Sequence, residues 1–538
     1  MAASAGAVET FRHYIEVNRS WINAPGIAVA FTDKEQLLGL LLFGRANMAT
    51  GELLTPGALF QIASMSKAFA SIAVLRLQEQ GRLDIGAPVS EYLPWFAIRS
   101  DYEPIRLNHI MSHTSGLITG TEATASASSQ VWDLRYTDVS TPPGTYFHYS
   151  NTAYKILGLI MERILGKGIA EIMREYVLDP MGMNESEAVI TSEIRPRLAV
   201  GYEPLLGDRP LSRGGSLAEA PWFEFDSTDG SICSNASDMA KYMRVLLNRG
   251  GGLLSYSSFE TLTRPAITME NDIHGRAYGL GLGLDTMNGA ACLVHWGQMV
   301  GYRGSVVMDL DDGLGVVILA NGPWESRDAA RIGLTLLQGR IRHEELPLLL
   351  EPMDPHRITN AADYAGCYQS EQGEISFVSE GDALFLLDKG ILIPLERHPE
   401  ISLDAFYAKH PGFSRYLLRF GRHEGKVVDV YHGGQAYFHL RHEGRAGFSF
   451  PDRWRNYVGH YVSHNPWLTN FRVHIRKGKL VWIQPDGQEE VLSPLGEDVF
   501  RVSEDPRSPE RMRFGMLIEG KAHLAEYSGA AYHRTFTP

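Results

Sequence analysis

The chain has 538 residues, with 50 Lys and Arg against 63 Asp and Glu, for a formal net charge of −13. At roughly 150 residues per domain this length holds about three domains, which excludes a lone small module. Hydrophobic residues make up 44% and charged residues 21%, values that exclude wholesale disorder, collagen and coiled coil. The acidic balance, without a Lys/Arg block, excludes the electrostatic footprint of a nucleic-acid binder.

Near the start, residues 8–21 have mixed helical character. Apolar runs at 26–31 and 36–43 flank Asp33, Lys34 and Glu35, which predicts a hairpin. Helical patterns follow at 67–80 ending at Gly81, at 151–165 ending at Gly166, and at 237–248 ending at Gly250. Residues 304–310 and 314–320 are joined by Asp311-Asp312-Gly313, a strong hairpin signal. Residues 1–350 therefore read as one α/β unit, a sheet supplied by its two ends around an inserted helical subdomain.

A stretch holding Pro347, Pro352 and Pro355 is the expected linker. Beyond it the pattern changes to short alternating strands separated by Gly, Asp and charged turns. Tyr364-x-Gly366-x-Tyr368 recurs 93 residues later as Tyr457-x-Gly459-x-Tyr461. Three more matches follow in order: Gly381 with Gly478, Leu418-Arg-Phe420 with Met512-Arg-Phe514, and Tyr431-His-Gly433 with Tyr527-Ser-Gly529. Two small antiparallel β-barrels, at 356–446 and 451–538, fit this repeat.

The longest apolar runs, such as 37–43 and 68–75, fall far short of the roughly 18 residues a membrane helix needs, so no membrane association is expected. The N-terminus has neither a basic n-region nor an apolar h-region, which makes the cytoplasm the expected address. Cys233, Cys292 and Cys367 form an odd, scattered set without CxxC spacing. They read as buried small hydrophobes rather than as a disulfide framework or a metal site.

Chemistry concentrates at Phe60-Gln-Ile-Ala-Ser64-Met-Ser-Lys67, which leads into the apolar run 68–75. A helix beginning near Ser64 puts the Ser64 hydroxyl and the Lys67 amine on one face, i to i+3, with the free N–H groups of its first turn aimed at the same spot. Burial near the positive end of the helix dipole pushes a lysine pKa down, and a neutral amine can take the serine proton. Tyr149 and Asn151 stand where Pro143-Gly-Thr-Tyr-Phe-His-Tyr149-Ser-Asn151 opens onto a helix. There a phenol can relay protons and an amide can orient a carbonyl. In Leu293-Val-His295-Trp-Gly297-Gln298 an apolar run meets a glycine that permits close backbone approach. Ser-x-x-Lys alone is a weak signal, since an N-cap serine beside a solvated lysine gives the same letters.

Taken in order, Ser64-x-x-Lys67, Tyr149-Ser-Asn151 and His295-x-Gly297 resemble the serine β-lactamase and penicillin-binding-protein superfamily. The likeness is closest to its CubicO-type branch of class C β-lactamases, esterases and D-aminopeptidases. The segments 107–117, 179–183, 229–238 and 301–305 match that scaffold, and the resemblance spans residues 8–345. It implies an antiparallel sheet flanked by helices with an all-helical subdomain, and lipocalin-like folds for the two tail barrels. It further implies Ser64 as acylated nucleophile, Lys67 as proton acceptor and Tyr149 as proton shuttle, with Asn151, His295, Gly297 and Gln298 in substrate binding. The oxyanion hole would be the backbone N–H groups of Ser64 and Gln298, and no cofactor or metal is implied.

The His-Trp-Gly segment departs from the family's usual Lys-Thr-Gly, which favours esters, or peptides with a free amine near the scissile bond, over β-lactams. The expected activity is that of a serine hydrolase, first D-aminopeptidase-like, then carboxylesterase, then β-lactamase, with acyl transfer to another nucleophile as a variant. A reading of a different class is a non-catalytic binder of peptides or cell-wall fragments. The partners expected are a small-molecule or short-peptide substrate, with no nucleic acid and homo-oligomerisation left open. Tail turns at 409–413 and 504–510 are candidates to reach the site in D-aminopeptidase fashion, although plain hairpin loops read the same way.

Overall fold

The computed structural model describes residues 2–120, 126–270, 275–344, 354–371, 373–398, 401–440 and 448–537. Packing divides the chain into two compact units. One is Met1–Glu203 with Leu217–Glu351, and the other is Pro204–Ser216 with Pro352–Pro538.

In the first unit, β1 (Gly26–Thr32), β2 (Leu37–Gly44), β3 (Ile267–Thr268), β4 (Ala277–Tyr278), β5 (Gly283–Met287), β6 (Ala290–Met299), β7 (Tyr302–Asp309) and β8 (Leu314–Ala320) form one sheet. Their order is β2-β1-β8-β7-β6-β5-β4-β3, and the ladders are antiparallel. Every residue of β1 and β8 is buried. Both faces of the sheet centre are therefore covered, by the packed helices Ala2–Asn18 and Arg327–Arg342 and by the helix Ala236–Leu247. The two hairpins read from the sequence are thus neighbours, joined through β1 and β8.

The helix Ser66–Glu79 is buried on nearly every side from Ser66 to Leu75. The helix Asn151–Leu165 starts on the Ser150 hydroxyl, which accepts from the Ala153 N–H at 3.1 Å, and stops at Gly166 in the left-handed conformation, φ 67°. Among the described residues no helix is long and apolar enough to cross a membrane.

The second unit contains two closed eight-stranded antiparallel barrels, with strands running from Gly366 to His439 and from Gly459 to Arg534. In each, neighbouring strands are sequential and the first pairs with the last, Tyr368 opposite His439 and Tyr461 opposite Arg534. The repeated Tyr-x-Gly-x-Tyr is the closure device. The second tyrosine donates its hydroxyl to the carbonyl of the first, at 2.9 Å in Tyr368–Tyr364 and 2.8 Å in Tyr461–Tyr457. The first donates to an aspartate, Asp404 or Asp498. The glycine between leaves room for the last strand's side chain: a Cβ on Gly366 would lie 2.5 Å from His439 Nε2, and one on Gly459 would lie 2.6 Å from Arg534 Nη2.

Three features differ from the sequence expectation. Residues Pro204–Ser216 pack with the barrels, where Arg472 donates to the Asp208 carbonyl at 2.7 Å and Asn470 to the Gly207 carbonyl at 2.9 Å. Ser64 sits on a separate 3-10 turn, Ala63–Met65, before the α-helix opens at Ser66. Cys367 is only half-buried, unlike Cys233 and Cys292. Of the proline linker, Pro347 and Pro352 lie outside the described residues.

Gly459→Val drives a branched side chain into Arg534 at the seam, and overpacking of this kind costs about 1–3 kcal/mol. Scanning calorimetry of the full chain should show a lowered transition for the barrel unit, and Gly366→Val should act the same way. An unchanged thermogram would mean that the seam tolerates a side chain.

Candidate active site

Lys67 is fully buried and donates to three acceptors: Ser64 Oγ at 3.1 Å, Asn151 Oδ1 at 2.8 Å and the Asp229 carbonyl at 2.7 Å. The i to i+3 spacing read from the sequence does place the hydroxyl and amine together. Asn151 is the first residue of its helix. Because Ser150 carries the cap, the Asn151 side chain is left to reach Lys67. Tyr149 hydrogen-bonds Ser64, and its ring centroid lies 4.9 Å from Lys67 Nζ.

Sequence reasoning missed the partners beneath these groups. Asp229 accepts from Lys67 through its backbone, while its carboxylate lies 3.6 Å from the buried Lys155 Nζ and accepts from Ser227 Oγ at 2.5 Å. One residue thus satisfies two buried amines. A backbone carbonyl leaves no mark in sequence, although the Asp229-Gly-Ser segment did match the scaffold. The fully buried His113 takes the Ser150 N–H on Nδ1 at 3.1 Å and lies against the Tyr149 ring, centroids 4.2 Å apart. Tyr278 continues this aromatic wall, 5.1 Å from His113 and 5.3 Å from Phe147.

His295, on β6, is buried, and its Nδ1 is 2.8 Å from the Trp296 carbonyl. A carbonyl only accepts, so Nδ1 carries the hydrogen and Nε2 is left as an acceptor, 3.4 Å from the Tyr278 hydroxyl. Burial, helped by the charge on Lys67, pushes the His295 pKa down to about 3, against the weaker opposing effect of the Trp296 bond. His113 is held well below the usual histidine range by burial and then by Lys67. Burial also raises the Tyr149 phenol, opposed by its bond to Ser64. Near neutral pH all three rings are therefore uncharged.

Gly297 is where β6 passes the turn that carries Ser64. A Cβ there would overlap the Ile62 carbonyl oxygen and come within 3.1 Å of Ala63 Cβ. Ala63 itself has φ 52°, a left-handed conformation costing an L-residue roughly 1–2 kcal/mol, held here immediately before Ser64. Gln298, with an exposed side chain, pairs with Arg303 across β6 and β7. Trp296 is half-buried, with the Arg276 and Arg327 guanidinium carbons 4.9 and 5.1 Å from its ring centroid. Fixed positive charge therefore sits beside Trp296 rather than at His295.

Residues 12–339 match the family model described as Beta-lactamase, and the chain belongs to that family. Protein flp of Staphylococcus aureus (strain NCTC 8325 / PS 47) is 24% identical over 277 residues, 50% of this chain and 53% of flp. The chain thus spans about half the length of that curated relative. Penicillin-binding protein 4 of Amycolatopsis lactamdurans is 25% identical over 372 residues, covering 65% of this chain and 94% of that protein. Among solved structures, the octameric penicillin-binding protein homologue from Pyrococcus abyssi aligns with a TM-score of 0.59 at 21% identity, covering 89% of this chain and 98% of that one. This last likeness is one of fold.

Two outcomes follow. Gly297→Val separates β6 from the Ile62–Ala63 turn and should lower turnover of p-nitrophenyl acetate by at least about 100-fold, whereas an unaffected rate would remove this contact from the site. His295 stays neutral in the fold down to about pH 3 but titrates near 6.5 when unfolded. The unfolded chain therefore binds the extra proton across that window, and stability falls as the pH drops through it. His295→Gln should flatten the decline in transition temperature between roughly pH 7 and pH 4, measured by calorimetry, and an unaltered slope would contradict the assignment.

Proposed function

We propose that this chain is a serine hydrolase that cleaves amide or ester bonds through an acyl-enzyme on Ser64, acting first as a D-aminopeptidase-like amidase of small substrates. The observation that carries the reading is the Lys67 amine 3.1 Å from Ser64 Oγ, with further hydrogen bonds to Asn151 and Asp229.

An ammonium would saturate all three acceptors. A neutral amine keeps its two hydrogens on Asn151 and Asp229 and turns its lone pair to the Ser64 hydroxyl. The Ser64 proton then passes to Lys67 as Oγ bonds to the carbonyl carbon, and the oxyanion is received by the N–H groups of Ser64 and Gln298. On collapse the bond to the leaving group breaks. The departing nitrogen or oxygen takes a proton from the Tyr149 hydroxyl, which Lys67 replenishes. Water next gives its proton to the same pair, attacks the acyl carbon and releases the acid, restoring Ser64. Asn151, whose Oδ1 faces Lys67, has its Nδ2 hydrogens available for a substrate carbonyl.

His295 supports the choice of substrate. Its Nδ1 hydrogen is committed to Trp296 and its Nε2 only accepts, so it suits an ammonium better than a carboxylate. The same neutral ring makes no demand for a charged substrate, and this favours a carboxylesterase as the second reading.

The test is turnover of D-alanine p-nitroanilide, its L enantiomer, its N-acetyl derivative and p-nitrophenyl acetate by the wild type and Ser64→Ala. The proposal expects D-anilide hydrolysis that is lost on N-acetylation and in Ser64→Ala, with Tyr149→Phe lowering kcat by about 10²–10⁴. Ester turnover alone would establish the second reading. No turnover by the wild type would give the site to a binding protein.

A further inference from the structure

A second buried amine accompanies Lys67. Lys155 stands one turn along the helix Asn151–Leu165 from Asn151, and this i to i+4 spacing puts both side chains on one face. Asn151 accepts from Lys67 at 2.8 Å, while Lys155 Nζ lies 3.6 Å from Asp229 Oδ1, the two side chains of this pair being 1% and 5% exposed. An ammonium and a carboxylate at this depth are tolerated as a pair and are costly apart. Ser227 Oγ donates to the same carboxylate at 2.5 Å, and the Phe225 ring centroid lies 4.9 Å from Lys155 Nζ.

The loop that carries this carboxylate also serves Lys67. Thr228 Oγ1 donates to the Tyr154 carbonyl at 2.6 Å, and a Cβ on Gly158 would lie 2.9 Å from that hydroxyl, so the loop rests closely on the Asn151 helix. On its other side the Ile232 N–H donates to Ser66 Oγ at 3.2 Å. Between these two anchors the Asp229 carbonyl accepts from Lys67 at 2.7 Å. The Asp229 charge reaches the site as well. Burial raises the Tyr149 phenol, its bond to Ser64 opposes this, and the Asp229 carboxylate raises it further. The other titratable groups around Lys67 are neutral near neutral pH, because burial raises the phenols of Tyr154 and Tyr278 and lowers the imidazoles of His113 and His295. Arg276 and Arg327, against Trp296, keep their charge throughout. In this surround Lys155 and Asp229 are opposite charges that cancel.

We propose that Lys155 is a positioning residue of the Ser64 site: by pairing with the Asp229 carboxylate it holds the Asp229 carbonyl on the Lys67 amine and cancels a charge that would otherwise bias that amine. Lys155 touches no substrate in this account and acts through Asp229 alone. The inference rests on the reading of Lys67 as acceptor of the Ser64 proton. Its sign is fixed by electrostatics. Without Lys155, the uncompensated carboxylate favours the ammonium form of Lys67, which then keeps its proton to higher pH. Without the Asp229 charge, the uncompensated Lys155 ammonium disfavours a second ammonium beside it, and Lys67 gives up its proton at lower pH.

The test is the rate of fluorophosphonate labelling at Ser64 in the full chain, followed by mass spectrometry from about pH 5 to pH 9. Wild type is compared with Lys155→Met, Asp229→Asn and the double variant. The acid limb of the profile should move to higher pH in Lys155→Met and to lower pH in Asp229→Asn, each by about one pH unit or more. General damage to packing would not move the limb in opposite directions. The double variant leaves neither charge unpaired, so it decides the matter even if a single variant fails to fold. Its limb should return to the wild-type position, while its plateau rate falls at least about fivefold because the carbonyl is no longer held. Shifts of the same sign, no shift in the folded single variants, or a double variant with the wild-type plateau rate or a displaced limb would overturn this inference alone. Absence of a Ser64 adduct on the wild type would overturn the reading of the site and this inference with it.

Discussion

One buried amine sets the arrangement of the first unit. Lys67 has no exposed surface, and an unsatisfied ammonium or amine at such a depth would be strongly destabilising. Three of its partners come from the 3-10 turn just before its helix, from 84 residues downstream and from 162 residues downstream. Satisfying it brings together the turn that carries Ser64, the N-terminus of the Asn151 helix and the Asp229 loop. The second buried lysine, Lys155, is matched from the same Asp229 residue, so that loop is fixed from two directions.

Around this amine the chain places groups that stay neutral. His113, His295 and Tyr149 are kept uncharged near neutral pH by burial. The backbone contributes as well: Ala63 in a left-handed conformation and Gly297 without a side chain let β6 lie directly on the turn that carries the serine. Such local strain persists only where surrounding packing enforces it, and here the buried helix Ser66–Glu79 and β6 do so. Donors and proton-transfer groups fixed before substrate arrives need little reorganisation during reaction.

Much of this was legible because particular letters have few physical uses. The three-residue spacing of Ser64 and Lys67 brings hydroxyl and amine together across the junction of the 3-10 turn and the helix. Gly166 ends its helix in the left-handed conformation that glycine favours. The repeated Tyr-x-Gly-x-Tyr could be read as a barrel signature because each member has a separate task at the seam, as the matching Tyr368 and Tyr461 bonds show. What stayed hidden depends on partners remote in sequence or on the backbone. The Asp229 carbonyl carries no residue-specific signal, and φ at Ala63 is imposed by its neighbours. The segment Pro204–Ser216 joins the barrel unit because Asp208 meets Arg472, 264 residues away. Nothing in the letters around Trp296 shows that Arg276 and Arg327 lie against its ring.

The central claim is that Lys67 activates Ser64, and the direct measurement is the rate and position of covalent labelling by a fluorophosphonate. Intact-protein and peptide mass spectrometry would follow the wild type and Lys67→Met. The account predicts one adduct, on Ser64, formed at least about 100-fold more slowly without the lysine amine. An adduct on another residue, or labelling of Lys67→Met at the wild-type rate, would contradict it.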